Sequence, residues 1–180
     1  MVGADDPMRN IRASLFYNPD TRYMSGTVSL DYENADHFRA VQLGQGLFIR
    51  GNLQKEGASS SVLRRQETYY FVGEPTDRLS FYFNGTVQPE FQTIDRFKTV
   101  LTPSGKRESD FHFHYLTRDQ NYFPNPGLTF SPITLTITLP GDMNCLASGD
   151  LVEHKVLNRN RFTFSNPSCK GFSLVCGRFE

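Results

Sequence analysis

YFPNPGLTFSPITLTITLPGDMNCLASGDLVEHKVLNRNRFTFSNPSCKGFSLVCGRF, residues Tyr122–Phe179, is the most regular part of the chain. Ile133, Leu135, Ile137 and Leu139 alternate with Thr134, Thr136 and Thr138. Alternation of β-branched and apolar residues with period two is the pattern of a strand with one buried face. Pro140-Gly141-Asp142 forces a turn, because proline fixes φ and glycine accepts positive φ. Further strands are predicted through Leu146–Val152, at Phe162–Phe164 and over Phe172–Phe179. Four strands with turn chemistry between them predict an antiparallel unit.

Upstream, Ile11–Tyr17 and Tyr23–Tyr32 read as a pair of strands joined at Asn18-Pro19-Asp20. Asn34-Ala35-Asp36 is expected to end the second. His37–Leu43 leads into Leu47-Phe48-Ile49, and Gly44 with Gly46 predicts a bulge or bend there. No Lys-Ser/Thr pair follows those glycines, so they do not read as a phosphate loop. Gly57–Ser61 is a small-residue turn. Thr68–Val72 is a strand closed by Gly73–Asp77, and Leu79–Phe83 is the next. Asn84-Gly85 carries the chemistry of a hairpin turn. It also opens a formal glycosylation sequon with Thr86. Phe91, Ile94, Phe97 and Leu101 are spaced for a short amphipathic helix, with an aromatic-anchored loop as the alternative. The fold class is all-β, a large antiparallel multi-sheet saddle or sandwich with at most one or two short helices. Residues 1–10 are expected to be a flexible segment, and residues 11–180 a single domain.

Composition narrows the function. The 180 residues are enough to bury roughly 70% of the unfolded surface, so neither disulfide nor metal is needed for folding. Nineteen basic residues balance nineteen acidic ones, which argues against a nucleic-acid partner. No apolar run approaches a membrane span of about 20 residues. The polar start MVGADDP lacks the apolar core of a signal peptide and is expected at a mature boundary after leader removal. Cys145, Cys169 and Cys176 are odd in number and lack zinc-knuckle spacing. They read as small buried thiols, with one disulfide plus a free thiol as the alternative. Reduced thiols point to the cytoplasm, whereas leader removal and the Asn84 sequon point to a periplasmic or extracellular site.

Catalytic constellations are absent from the sequence. There is no His-Glu-x-x-His helix and no Gly-x-Ser-x-Gly elbow. In Asp110–Leu116, DFHFHYL, the row Phe111, Phe113 and Tyr115 is expected to be buried and His112 and His114 to face solvent. A metal shared by His112 and His114 is the sharper reading, and it needs a third ligand such as His37 or His154.

The order of these motifs resembles the amino-terminal β-domain of M1-family zinc aminopeptidases. Tyr122-Phe123-Pro124 stands where the family has a Phe-Pro or Tyr-Pro segment. It is followed by the strand ending Leu139-Pro140-Gly141, the step Ala147–Val152, the run Phe162–Pro167 and the closing Cys176-Gly177-Arg178-Phe179. Ser25-Gly26-Thr27-Val28 and Leu79–Gly85 are similar to earlier family strands. The resemblance implies a non-catalytic domain that forms one wall of a peptide cleft and packs on a catalytic zinc domain of the same parent chain. That domain is expected to begin where this chain stops. Its His-Glu-x-x-His and Gly-x-Met-Glu-Asn motifs are not in this sequence. Zinc is therefore expected in the missing domain, no cofactor in this one, and no catalysis by this chain alone. The resemblance assigns peptide-amine contact to Gln120, with Tyr122 beside it, although the family's Cys-x-Asp-Glu-Pro pattern is missing. A reading from a different class is a stand-alone sandwich that binds carbohydrate or protein on Tyr69, Tyr70, Tyr82, Tyr115 and Tyr122.

Overall fold

The computed structural model describes residues 8–52, 61–89, 113–117, 121–124, 130–156 and 158–178. These residues form eleven strands and no helix. In chain order they are β1 (Met8–Asn18), β2 (Tyr23–Gln42), β3 (Leu47–Asn52), β4 (Ser61–Arg65), β5 (Thr68–Thr86) and β6 (Phe113–Leu116). The rest are β7 (Ser131–Pro140), β8 (Asn144–Ala147), β9 (Asp150–Val156), β10 (Arg159–Cys169) and β11 (Leu174–Gly177). Eight of them make one sheet in the order β3-β5-β2-β1-β7-β10-β9, with β4 also on β5. The other three make a small sheet, β6-β11-β8.

The alternation in β7 sorts its side chains as expected. Ile133, Leu135, Ile137 and Leu139 are buried, while Thr134, Thr136 and Thr138 lie half-buried on the other face. Because side chains repeat every second residue, one register places whole rows across five strands. Phe164, Leu135, Ala13, Val28 and Phe81 make one such row. Phe162, Ile137, Leu15, Gly26 and Phe83 make the next. Each row ends in phenylalanine on both sides and has one small residue inside it, Ala13 in the first and Gly26 in the second. A side chain at Gly26 would meet Leu15 Cδ2 and Ser14 O, each at 2.6 Å. The outer face is polar, with the Thr136 and Thr163 hydroxyls 3.2 Å apart and Ser80 Oγ donating to Ser29 Oγ at 3.0 Å.

The all-β expectation holds, and several details differ. The β1–β7 pair is parallel, whereas every other pair is antiparallel. No hairpin joins these two strands, so no turn fixes their direction. β1 begins at Met8, inside the segment expected to be flexible. β2 does not end at Asn34–Asp36; it continues to Gln42 with register shifts around Asp36. Gly73–Asp77 likewise lies within the long β5 rather than closing it. The bend absorbs a buried cation there. Arg39 is only 3% exposed, donates to Asn34 O at 2.5 Å and stacks 4.0 Å over the Tyr32 ring.

Asn84-Gly85 is not a hairpin turn. Both residues are in β5, paired to Ser25 and Met24 on one side and to Phe48 and Leu47 on the other. Gly44 and Gly46 do make the expected bend, a tight turn closed by Leu47 N–H donating to Gly44 O at 2.9 Å. The Gly57–Ser60 turn residues, the candidate helix from Phe91 to Leu101, Phe111, His112 and Gln120 lie outside the described residues.

Candidate functional site

The small sheet and the Asn121–Pro124 segment carry the residues that the sequence singled out. β11 pairs with both neighbours in one register, so its residues define cross-strand rows. His114, Cys176 and Cys145 form the row facing the large sheet. Tyr115, Val175 and Leu146 form the row facing outward.

The inward row is buried. Cys176 is 0%, Cys145 4% and His114 8% exposed. This corrects the expectation that His114 faces solvent opposite a buried Tyr115. The physical reason is a partner on the large sheet: Tyr17 Oη lies 2.6 Å from His114 Nδ1. A buried imidazole is tolerated once hydrogen-bonded, and Tyr115 with its polar tip sits well half-exposed. Burial is the main reason the Tyr17 phenol is pushed well above its usual range. The neighbouring Cys176 adds to that rise, and Arg22 partly offsets it. Cys176 and Cys145 face each other with sulfurs 2.9 Å apart.

The metal candidates are not brought together among the described residues. His37 Nδ1 is 2.9 Å from Gly73 O on the β2–β5 bend. His154 stacks on Phe162 at 4.3 Å, on the edge strand β9. No group of three or more His, Cys, Asp or Glu side chains suited to a metal occurs among the described residues. His112 lies outside them.

Tyr122 is fully packed, 1% exposed, with its hydroxyl donating to Phe172 O. Burial pushes its phenol up, and Cys176 and Cys145 push it further. Asn121, in the left-handed region at φ 48°, accepts from Gly44 N–H at 2.8 Å through its carbonyl. Asparagine tolerates that conformation better than most residues. The start of the Tyr-Phe-Pro segment is therefore pinned both to the β2–β3 turn, through Asn121, and to the chain entering β11, through Tyr122. Tyr122 anchors the segment and presents no ring to a ligand. Replacing it with phenylalanine leaves the Phe172 carbonyl without that donor. The expected cost is about 1–2 kcal/mol in urea denaturation; an unchanged midpoint would remove the anchoring role. The five-tyrosine platform is also corrected: Tyr69 and Tyr122 are buried, and Tyr70, Tyr82 and Tyr115 are half-buried.

Arg178, which the sequence marks only as part of the closing Cys176-Gly177-Arg178-Phe179 run, is a three-way clamp. Its Nε donates to Asp142 Oδ2 at 2.6 Å and its two Nη atoms reach the Asp20 carboxylate at 3.3 and 3.4 Å. The bond from Arg178 Nε holds the Asp142 carboxyl below its usual range. One guanidinium thus ties the β1–β2 turn, the β7–β8 turn and the end of β11 together. The available signal was an acid in each turn, which is common enough to carry little information. Open space is limited. The cavity beside Asp36, His37 and Glu74 has about 10 Å³, room for one water at most. A shallow depression of about 280 Å³ lies on the outer face of the large sheet between Arg12, Ser14, Thr27 and Ser80.

In the outward row Leu146 is 60% exposed, and Tyr115 and Val175 are half-buried. Leu151, Val152 and Val156 on β9, the edge strand of the large sheet, are also exposed.

No protein-family model and no curated protein matches the sequence. Solved structures do match its fold. One is a mutant of an M1 zinc metallopeptidase from Deinococcus radiodurans bound to a Tyr-Ser-Ala substrate, with TM-score 0.70 and 16% identity. That alignment covers 98% of this chain and 43% of the other. A second structure of the M1 zinc metallopeptidase from Deinococcus radiodurans gives TM-score 0.69 at 16% identity over 95% of this chain and 42% of that one. A two-domain M1 zinc metallopeptidase mutant bound to L-tryptophan gives 0.69 at 17% identity, covering 98% and 44%. This chain therefore spans less than half the length of these enzymes, and its all-β fold is similar to a part of theirs.

Proposed function

We propose that this chain is the non-catalytic amino-terminal β-domain of an M1-like metallopeptidase. It packs on a catalytic zinc domain of the same parent protein and forms one wall of the peptide cleft. The observation that carries this reading is the fold alignment, which uses 98% of this chain and only 43% of the metallopeptidase. The zinc belongs to the partner domain in this reading; the described histidines here, on β2, β6 and β9, lie against separate partners on β5, β1 and β10. Gln120, two residues before Tyr122 in sequence, would hold the free amine of the peptide. A domain wall of this kind also keeps water from the reacting centre. Leu146, 60% exposed on the outward face of the small sheet, suits burial against a neighbouring domain.

Two measurements test the reading. The gene sequence after Glu180 should encode His-Glu-x-x-His within about one domain length. The separately expressed downstream region should bind this chain with one-to-one stoichiometry, and Leu146→Asp should weaken that association about tenfold or more. The same substitution should change the stability of the isolated chain by no more than about 0.5 kcal/mol, as is usual for an exposed site. Aminoacyl-amide hydrolysis by this chain alone, surviving metal-free repurification, would overturn the assignment.

A further inference from the structure

We propose that Cys145 and Cys176 are a modification site, a dithiol that closes to a cross-strand disulfide tying β8 to β11. The two residues are directly opposed in the β8–β11 register. Opposed residues of an antiparallel pair have Cα atoms about 4.5–5.5 Å apart, inside the range that disulfides span. The sulfurs already face each other at 2.9 Å, so bond formation needs a movement of about 1 Å. Cys169, the third thiol, is half-buried on β10, opposite Ser131. It has no such partner geometry, so the odd cysteine count resolves into one pair and one single thiol.

The oxidant is a disulfide donor, either a small molecule such as oxidised glutathione or a protein disulfide. Cys145, the more exposed of the two, loses its proton and attacks one donor sulfur. A mixed disulfide forms and the donor's first thiol leaves. Cys176 then loses its proton and attacks the Cys145 sulfur, forming the Cys145–Cys176 bond and releasing the donor's second thiol. The two cysteines are oxidised, the donor is reduced by two electrons, and the two protons end on its thiols. Burial drives the Cys176 thiol well above its usual range, so the second attack is slow in the packed state and fast in a chain that is still folding. The closed bond would fix β11, the strand that carries the Arg178 clamp at its end. This pairing does not depend on what covers the outward face.

The experiment refolds the full chain in a glutathione redox buffer, quenches with an alkylating reagent in denaturant, and maps the peptides by mass spectrometry. The expected product lacks two hydrogens, links Cys145 to Cys176 and carries the alkyl group only on Cys169. Its Tm should exceed that of the reduced chain by roughly 5–15 °C. Cys169→Ser should give the same linkage and the same shift. Three alkylated cysteines after equilibration with oxidised glutathione would overturn the proposal. So would a bond that includes Cys169, or a Cys145–Cys176 bond that leaves Tm unchanged or lower.

Discussion

Gly85→Ala is expected to cost roughly 3–5 kcal/mol, much of the 5–15 kcal/mol that holds a domain together. The added methyl group would sit 2.0 Å from Gly46 O and 3.0 Å from Leu47 Cα, and both are backbone atoms. The residue also has φ 152°, which side chains rarely adopt. Relief by movement is blocked from both sides. Gly46 O accepts from Thr86 N–H at 3.0 Å, and a side chain at Gly46 would itself meet Thr86 O at 2.1 Å. The two glycines let β3 and the end of β5 approach closely, and β5 in turn carries β2, β3 and β4. Urea denaturation should show a large drop in midpoint. Gly51→Ala is the matched control on the same strand pair, because nothing lies within 4 Å of its added carbon. It should be neutral or slightly stabilising, since alanine restricts the unfolded chain more than glycine does. Equal stability of the Gly85 and Gly51 variants would show that the close approach is not a constraint.

The same two glycines show where the sequence can be read and where it cannot. Gly44 and Gly46 announce irregularity, and the chain does turn there. Asn84-Gly85 announces a hairpin, but its glycine serves a contact with Gly46, far away in sequence. A dipeptide reports the backbone conformations it tolerates and not the neighbour that demands them. The strand β7 was legible because its pattern and its burial have a single cause, one face against the core. Its parallel partner β1 was not, because more than a hundred residues separate them and no turn links them. Strand ends failed in the charged stretch around Asp31–Asp36 for a related reason. Asp31, with a side chain only 15% exposed, bridges Arg12 at 2.7 Å and Arg78 at 2.6 Å across three paired strands, and such cross-strand pairing is invisible in a local charge pattern.

At the candidate site the limits are sharper. Alternation separates His112 and His114 from Phe111, Phe113 and Tyr115, but not which set faces the core. Apolarity favoured the aromatics. Tyr17, on another sheet, reversed the answer for His114 by supplying a hydrogen-bond partner. The facing of Cys145 and Cys176 needed the β8–β11 register, and two short strands do not encode one. The likeness of fold to part of the M1 zinc metallopeptidase structures, by contrast, was legible although identity to them is only 16–17%.

The buried cluster between the sheets predicts a steep loss of stability in alkali. Tyr17, Tyr122 and Cys176 are all held neutral by burial, and a charge on Cys176 would raise the cost of ionising either phenol. In the unfolded chain the thiol titrates near pH 8.5 and the phenols near pH 10. Folded-state values lie above these, so the folded state keeps protons that the unfolded state loses. The number of protons bound is then larger in the native state, and stability falls as pH rises. Below about pH 8 the contribution is fully present and flat. The decline starts as the thiol's unfolded value is passed and steepens beyond about pH 10. Each group adds at most about 1.4 kcal/mol per pH unit, so the three together approach about 4 kcal/mol per unit. Urea denaturation at intervals between about pH 7 and pH 11 measures this slope directly. Tyr17→Phe with Tyr122→Phe should lower stability at neutral pH through the lost hydrogen bonds, yet flatten the alkaline slope by about two thirds. A double variant with the wild-type slope would mean that the phenols are not buried acids. The two sheets would then not meet over Tyr17 and Tyr122, and the Tyr122 anchor of the Tyr-Phe-Pro segment would fall with that packing.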